Sequence, residues 1–115
     1  MPTKFKYSGP LAILINEGSG SASELFSGVM QKRGIAALMG ENSAGQVLLK
    51  SMFDLEDGSM MLLVTGRGHH PDGSVFSFRG LSPNRYFGAE EDRNIIDYAT
   101  MYLIYKNKMK EKDIK

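Results

Sequence analysis

Two short, continuous hydrophobic runs lie in the first half of the chain, at Leu11–Asn16 and Ile35–Met39. Runs of this length, bounded by glycine, proline or polar residues, are typical of strands that are buried on both faces. Between them, hydrophobic residues recur at helical spacing, which predicts a helix over residues 21–32. Ser21 and Glu24 have capping-box spacing, so the helix is expected to begin close to Ser21. The predicted buried stripe of this helix consists of Ala22, Leu25, Phe26, Val29 and Met30.

Hydrophobic and polar positions alternate over residues 47–55, which predicts a β-strand. One predicted face holds Val47, Leu49, Ser51, Phe53 and Leu55, and the other holds Gln46, Leu48, Lys50 and Met52. Asp57-Gly58 is a hairpin turn signal, and residues 59–65 then form the returning strand. Residues 75–78 are a candidate for one more short strand, and residues 80–88 are interpreted as irregular.

A second amphipathic helix is predicted for residues 90–108, with acidic residues first and lysines last, as the helix dipole favours. Its hydrophobic stripe consists of Ile95, Ile96, Ala99, Tyr102 and Leu103. The lysine-rich end, residues 106–115, is interpreted as a solvated helix end. The element order is then β-α-β-β-β-(β)-α, which indicates an α/β fold with a mixed β-sheet and packed helices.

Composition excludes several classes of function. The 115 residues carry a formal net charge of +1, so nucleic acid is not an expected partner. No hydrophobic run approaches the roughly 20 residues of a membrane-spanning helix, so no such segment is expected. The chain has no cysteine and two histidines, so neither a disulfide nor a metal or other cofactor is expected. We expect residues 1–115 to form a single domain.

The junction between the first strand and the first helix, residues 15–24, is the strongest candidate for chemistry. A strand ends there, glycines permit a sharp turn, and a helix begins at Ser21. A hydroxyl at a helix N-terminus lies among unpaired backbone amides, which can stabilise an oxyanion on a substrate carbonyl. Ser-x-x-Glu is also an ordinary helix cap, so Ser21 is a candidate both for a nucleophile and for a purely structural cap.

A nucleophilic serine needs a general base, and the sequence offers few. His69 and His70 lie in a loop rich in glycine, proline and aspartate, which is also an ordinary surface position for histidine. Lys50 lies in the middle of a predicted strand. Partial burial there would lower its pKa, as a lysine that acts as a general base near neutral pH requires. A lysine on an edge strand, or one whose side chain extends to solvent, fits the same pattern.

Several linked motifs resemble the C-terminal processing, or tail-specific, serine peptidases. The run GPLAILINEGSGSASELFSGVMQKRGIAALMGENSAG resembles the strand, Ser-Ala-Ser-Glu turn, helix, strand and Gly-Glu-x-Thr-x-Gly-Lys-Gly loop of that family. Downstream, LEDGSMMLLVTGRGHHPDGSVFSFRGLSPN resembles its Leu-x-Asp-Gly-Ser hairpin and Pro-x-Gly loop. The match runs without a gap from Pro10 to Asn84. It implies part of a crotonase- or Clp-protease-like peptidase core and a polypeptide substrate.

The resemblance also assigns roles to residues. It places the nucleophile at Ser21 and one oxyanion donor at the Ala22 amide. The family's general-base lysine is expected directly after Gly45, where this chain has Gln46, and the family's later glutamine corresponds to Lys50. Four residues along a strand return to the same face but lie about 13 Å away. Because the two positions share a face, Lys50 is a possible base. Because of the distance between them, we expect Lys50 to lie beyond hydrogen-bonding reach of Ser21.

Two other functions remain open. Gln46 at the base position fits a peptide-binding relative that has lost its base, and the wider crotonase-like fold also includes acyl-CoA enzymes. The Ser-Ala-Ser-Glu turn argues against the second. The resemblance further predicts that the chain is the C-terminal part of the catalytic core, without the PDZ domain, the upstream strand and the Gly-rich turn. We expect an isolated chain of this kind to be impaired and to form a homo-oligomer through an open sheet edge. The family suggests the bacterial periplasm or cell envelope.

Overall fold

Two sheets and two helices make up the computed structural model, which describes residues 6–88 and 90–113. The elements in chain order are β1 (Leu11–Ile15), α1 (Ala22–Lys32), β2 (Ala36–Gly40), β3 (Leu48–Asp54), β4 (Met60–Arg67), β5 (Arg85–Tyr86) and α2 (Asp92–Asp113). β1, β2 and β5 form a parallel sheet with β2 in the centre, while β3 and β4 form an antiparallel hairpin. The predicted α/β class is confirmed, with the parallel and antiparallel strands in separate sheets.

The central strand β2 directs alternate side chains to opposite faces of the parallel sheet, so both faces are covered. On one face, Leu38 packs in a cluster with Ile15, Val47, Phe76 and Leu81. On the other face, Met39 packs in a cluster with Phe87, Ile95 and Ala99. Strand β2 thus joins the two hydrophobic clusters of the core, and the interpretation of the second run as a buried strand is confirmed. The first run also forms a strand, but β1 lies at an edge of the parallel sheet, with Ile15 buried and Leu14 exposed, so its predicted burial on both faces is wrong.

The predicted buried stripe of α1 is wrong. The helix instead buries Glu24, Ser27 and Gly28, while Leu25 and Phe26 are exposed. A Cβ at Gly28 would lie 2.6 Å from the Phe76 ring, so only the absence of a side chain allows this close packing. Helical periodicity locates a hydrophobic face, but here the small and polar face contacts the rest of the protein.

The segment after the hairpin also differs from the prediction. Val75 forms only an isolated bridge with His69, whereas the segment interpreted as irregular contains β5. β5 forms because Asn84 brackets Leu38 of β2. The Asn84 amide donates to the Leu38 carbonyl at 2.7 Å, and the Asn84 side-chain oxygen accepts from the Leu38 amide at 2.8 Å.

Helix α2 begins within two residues of its predicted start and continues to Asp113, beyond the predicted end. Ile95 and Ala99 are buried as predicted, but Ile96 is 64% exposed. The stripe that contacts the sheet is therefore narrower than the predicted one. No helix within residues 6–88 and 90–113 is both long and apolar enough to cross a membrane.

The β3–β4 hairpin closes at the predicted Asp57-Gly58 turn. The Gly58 amide donates to the Leu55 carbonyl at 3.0 Å, and the Leu55 amide donates to the Ser59 carbonyl at 2.8 Å. Gly58 has a φ of 82°, which is the left-handed conformation that this three-residue loop requires. The register shifts once, between the pairs Leu49–Gly66 and Lys50–Val64, and leaves Thr65 as a bulge.

Candidate active site

Ser21 lies on a strained turn between the end of β1 and the first residue of α1. Its φ is 56° and its ψ is −118°, and it is the sole non-glycine residue with a positive φ in the described part of the chain. Such a conformation costs about 1–3 kcal/mol and persists only where the surrounding structure enforces it. The serine of a nucleophile elbow stands on the same kind of strained strand-to-helix turn, which presents its hydroxyl to substrate.

The N-terminus of α1 provides a free hydrogen-bond donor beside this serine. Ser21 is the N-cap residue and is exposed, and Ala22 is the first residue of the helix. Within the described residues, the Ala22 amide donates to no acceptor. A free amide at the positive end of a helix is the type of group that binds a developing oxyanion.

The Glu24 carboxylate connects this turn to the loop that follows β2. Its Oε2 accepts hydrogen bonds from the amides of Ser21 and Gln46, at 3.0 and 2.8 Å. Its Oε1 accepts from the Gly45 amide at 2.6 Å and from the Ser43 hydroxyl at 2.5 Å. Glu24 is only 1% exposed. The capping-box glutamate therefore also fixes a loop about twenty residues further along the chain.

These hydrogen bonds decide the charge state of Glu24. Burial raises the pKa of this carboxyl group, but the hydrogen bonds from the Ser43 hydroxyl and from the three amides outweigh burial and lower the pKa below its ordinary value. Glu24 is therefore an anion at neutral pH. Its negative charge is stabilised by fixed hydrogen-bond donors, and its Oε2 holds the Ser21 amide in place.

The loop held by Glu24 packs tightly against residues 78–81. Gly45 has a φ of 74°, and a Cβ there would overlap the Phe78 carbonyl. The Ser43 hydroxyl accepts from the Leu81 amide at 2.7 Å while donating to Glu24. The position directly after Gly45 is thus fixed relative to Ser21.

That position holds Gln46, whose side chain is exposed. A glutamine amide is neutral and does not accept a proton as a general base. Lys50 lies on β3 opposite Val64, where it is also exposed, and makes no hydrogen bond to Ser21 in the structure. Neither His69 nor His70 contacts Ser21: His69 contacts the Gly73 carbonyl at 3.3 Å, and His70 stacks on Phe76.

A groove of about 350 Å³ opens beside Ser21, between the N-terminus of α1 and the base of the hairpin. Ala22 and Leu25 line it on the helix side, and Val47 and Leu49 line it on the hairpin side. Its lining is mainly apolar, with Arg67 as the charged member. The groove has room for an apolar side chain, or for a short extended segment, next to the Ser21 hydroxyl.

Sequence reasoning identified Ser21 and Ala22 but missed two features of the site. It treated Glu24 only as a helix cap, and it assigned no role to Arg67. The signal for Glu24 was available, because a Gly-Glu-Asn-Ser-Ala-Gly loop follows β2 and has free amides to bind. Arg67, whose guanidinium lies 4.4 Å from the centre of the Phe78 ring, carried no motif of its own.

The sequence was compared with known families. It matches the model for peptidase family S41 over residues 2–87. This chain belongs to peptidase family S41. The match contains both the Ser21 turn and the Glu24 loop, and the resemblance to C-terminal processing peptidases is confirmed.

Individual relatives of this S41 chain are named as proteases. A carboxyl-terminal-processing protease from Picosynechococcus sp. is 34% identical over 92 residues, which cover 80% of this chain and 21% of that protein. A chloroplastic C-terminal processing peptidase from Tetradesmus obliquus is 38% identical over 77 residues, covering 65% of this chain and 16% of that protein. The chain thus spans about a fifth of the length of the relatives that it matches.

Solved structures agree with this assignment. The photosystem II D1 C-terminal processing protease aligns with a TM-score of 0.61 and 32% identity, over 69% of this chain and 20% of that one. Mature CPAF in complex with lactacystin aligns with a TM-score of 0.67 over 95% of this chain and 21% of that one. At 23% identity, the likeness to CPAF concerns the fold alone.

Proposed function

We propose that this S41 chain is the C-terminal part of the catalytic core of a serine peptidase that acts on polypeptides, with Ser21 as the nucleophile. The observation that carries the proposal is the strained conformation of Ser21 at the start of α1. An ordinary cap needs no strain, whereas a nucleophile benefits from a turn that presents its hydroxyl to a groove. The apolar groove beside Ser21 supports a polypeptide as substrate.

In the proposed reaction, the Ser21 hydroxyl oxygen attacks the carbonyl carbon of a peptide bond while its proton passes to a general base. The carbonyl oxygen becomes an oxyanion and is stabilised by the Ala22 amide. The carbon–nitrogen bond then breaks, and the amine leaves with the proton from the base. Water hydrolyses the remaining acyl ester and regenerates Ser21.

The proposed site lacks a well-placed general base. Gln46 occupies the position at which the resemblance expects the lysine, and Lys50 is exposed. A general base typically contributes about 10²–10⁴ in rate, and one oxyanion donor contributes about 10²–10³. We therefore propose that the isolated chain is an impaired peptidase, with a correctly placed nucleophile and slow turnover.

Labelling with a fluorophosphonate tests the nucleophile directly, because the probe reacts with an activated serine and needs no full turnover. We expect slow labelling of the wild-type chain, its loss in Ser21→Ala, and wild-type labelling in the matched controls Ser19→Ala and Ser23→Ala. Labelling of Ser21→Ala at the wild-type rate would overturn the assignment. Casein turnover by the same variants then measures the degree of impairment, and rapid turnover that depends on Ser21 would contradict the proposed impairment.

The alternative, a peptide-binding relative without catalysis, is not favoured, since the relatives reported above are named as proteases. The labelling experiment separates the two functions, because a binding protein with an inert serine leaves all three serine variants and the wild type unlabelled. Location in the bacterial periplasm or cell envelope remains part of the proposal.

A further inference from the structure

The β3–β4 hairpin projects from the rest of the protein and is hydrophobic on both faces. Among the described helices and strands, β3 and β4 contact each other extensively and contact the other elements little. Met52 and Leu62 are 63% and 59% exposed on one face, and Phe53 and Leu63 are each 44% exposed on the other. A two-stranded hairpin with such faces is marginally stable in water and is stabilised by additional strands.

The outer edge of β3 is open in the described part of the chain, where β4 is its one neighbour. Because the Leu55 amide donates to Ser59 on β4, alternation along an antiparallel ladder directs the backbone groups of Phe53 and Ser51 to β4 as well. The N–H and C=O groups of Lys50, Met52 and Asp54 then face outwards. These three residues form a row of unpaired backbone donors and acceptors.

The side chains along this edge are self-complementary. Two copies of β3 can pair antiparallel about a two-fold axis through Met52. Each residue then lies opposite the residue of the other copy that is equally far from Met52 in the other direction. In that register, Lys50 of each copy lies opposite Asp54 of the other, and Leu49 lies opposite Leu55. Neither Lys50 nor Asp54 has an ion-pair partner within the described residues. Moving the axis to Phe53 would instead place Lys50 opposite Glu56, which lies beyond the end of β3, and would leave Asp54 opposite Met52 and Leu49 opposite Asp57.

We propose that the outer edge of β3 is a homodimer interface in which Met52 meets Met52 of a second copy and two Lys50–Asp54 pairs fix the register. The pairing forms a four-stranded antiparallel sheet with about six new backbone hydrogen bonds. Charges at an edge normally discourage pairing, but this arrangement matches them with each other. Strand β4 carries one charged residue, Arg67, and no acidic residue, so its outer edge offers no opposite-charge pair to select a register. This inference is independent of the proposed function.

Charge reversal tests the register by sedimentation of the full chain at micromolar concentrations. We expect a dimer for the wild type, and about a tenfold rise in the dimer Kd for Lys50→Asp or Asp54→Lys, since each change opposes two pairs of like charges. The double variant Lys50→Asp/Asp54→Lys restores the opposite-charge pairs and should return the Kd to within about threefold of the wild type. Lys108→Asp, on the exposed surface of α2, is the matched control and should leave the Kd unchanged.

Disulfide trapping tests the geometry, because the chain contains no cysteine of its own. In the proposed sheet, Met52→Cys brings two thiols together across the axis, with Cα atoms about 5.5 Å apart. Leu62→Cys, the matched control, lies opposite Met52 on β4, and its two copies are separated by three strand spacings of about 4.8 Å each. Oxidation with diamide should crosslink the first variant and not the second.

Three results would overturn the proposal. A monomeric wild type throughout the micromolar range would show that no second copy occupies the edge, and would favour another segment of a longer chain as its partner. An oligomer that is insensitive to both single reversals would place the interface elsewhere. Crosslinking of Leu62→Cys as rapid as that of Met52→Cys would contradict the two-fold register.

Discussion

The amides of Ser21 and Gln46 donate hydrogen bonds to a single atom, Oε2 of Glu24, at 3.0 and 2.8 Å. The two amide nitrogens are therefore at most about 6 Å apart. One buried carboxylate thus positions both the proposed nucleophile and the residue at which the resemblance expects its base. A long side chain at position 46 starts within reach of the Ser21 hydroxyl, whereas position 50 lies four residues further along the chain, inside β3.

This relationship predicts a gain of function in Gln46→Lys. A lysine at this position would supply the missing base from a backbone site that is already fixed. We expect the rate of fluorophosphonate labelling of Ser21 to rise by about 10²-fold, within the usual contribution of a general base. Gln46→Met is the matched control because it has a similar length and no titratable group. Equal labelling rates in the two variants would contradict the prediction.

Lys50 provides a complementary test of the same geometry. Since Lys50 is exposed and makes no hydrogen bond to Ser21, Lys50→Ala should label at the wild-type rate. Labelling that is abolished in Lys50→Ala and preserved in Gln46→Ala would show that the exchange of the two residue types is compensatory. Lys50 would then be the base despite its exposure.

Glu24→Gln is predicted to destabilise the fold by about 2–4 kcal/mol. The side chain is buried and accepts four hydrogen bonds, and the NH₂ group of a glutamine cannot accept any of them. Urea unfolding of Glu24→Gln and of Glu17→Gln, an exposed control, measures the difference. Equal stabilities in the two variants would mean that the carboxylate does not hold the loop.

The same carboxylate makes the stability of the fold depend on pH in the acid range. Because the hydrogen bonds lower the folded-state pKa of Glu24 below the unfolded value of 4.5, its contribution to stability is complete above that pH. The contribution is lost as the pH falls from 4.5 through the folded-state pKa. Wild-type stability should therefore decrease over this window, and Glu24→Gln should lose less stability there than the wild type. An identical acid dependence in both proteins would contradict this assignment.

Local patterns were sufficient for much of the fold. The hydrophobic runs of β1 and β2, the Ser-x-x-Glu start of α1 and the Asp57-Gly58 turn each involve residues close in sequence, so their prediction required no knowledge of packing. The elements that were mispredicted depend on distant partners. α1 buries Gly28 because Phe76 packs on it, and β5 exists because Asn84 binds Leu38.

In the site, too, local features were predicted and features that depend on distant residues were missed. Ser21 was identified because the turn before a capping serine is a local motif. The Glu24 network was missed because it joins residues about twenty positions apart. The loop after β2, with its amides, was visible in the sequence, but no local motif connects it to Glu24. The strain at Ser21 likewise comes from its surroundings, since Ser21 itself is an unremarkable residue at a helix start.

Ser21→Gly should separate stability from activity. Glycine adopts a φ of 56° without the steric cost that a serine bears, so relief of strain should stabilise the chain by about 1 kcal/mol. The same substitution removes the proposed nucleophile and should abolish labelling. Ser23→Gly is the control, because it lies within α1 in a helical conformation and should destabilise by about 0.5–1 kcal/mol. A Ser21→Gly chain less stable than the wild type would show that the conformation is not strained.

The loop that follows the hairpin, residues 68–76, is attached to α1. Lys32 of α1 forms an ion pair of 2.6 Å with Asp72, and His70 stacks on Phe76 with ring centres 3.8 Å apart. The His70 Nδ1 is buried without a hydrogen-bond partner among the described residues. Burial, followed by the positive charge of Lys32, lowers the pKa of His70 below 6.5, while Asp72 opposes the shift.

A histidine with a lowered pKa binds fewer protons in the folded state than in the unfolded state just below pH 6.5. Its contribution to stability is therefore complete above pH 6.5 and is lost as the pH falls through the folded-state pKa. His70→Phe retains the stack on Phe76 and removes the titration, so we expect it to lose less stability between pH 7.5 and 5.5 than the wild type does. His69→Phe, at an exposed neighbouring position, should keep the wild-type profile. Parallel profiles for the wild type and His70→Phe, measured by urea unfolding, would mean that the His70 ring is accessible to protonation in the folded protein.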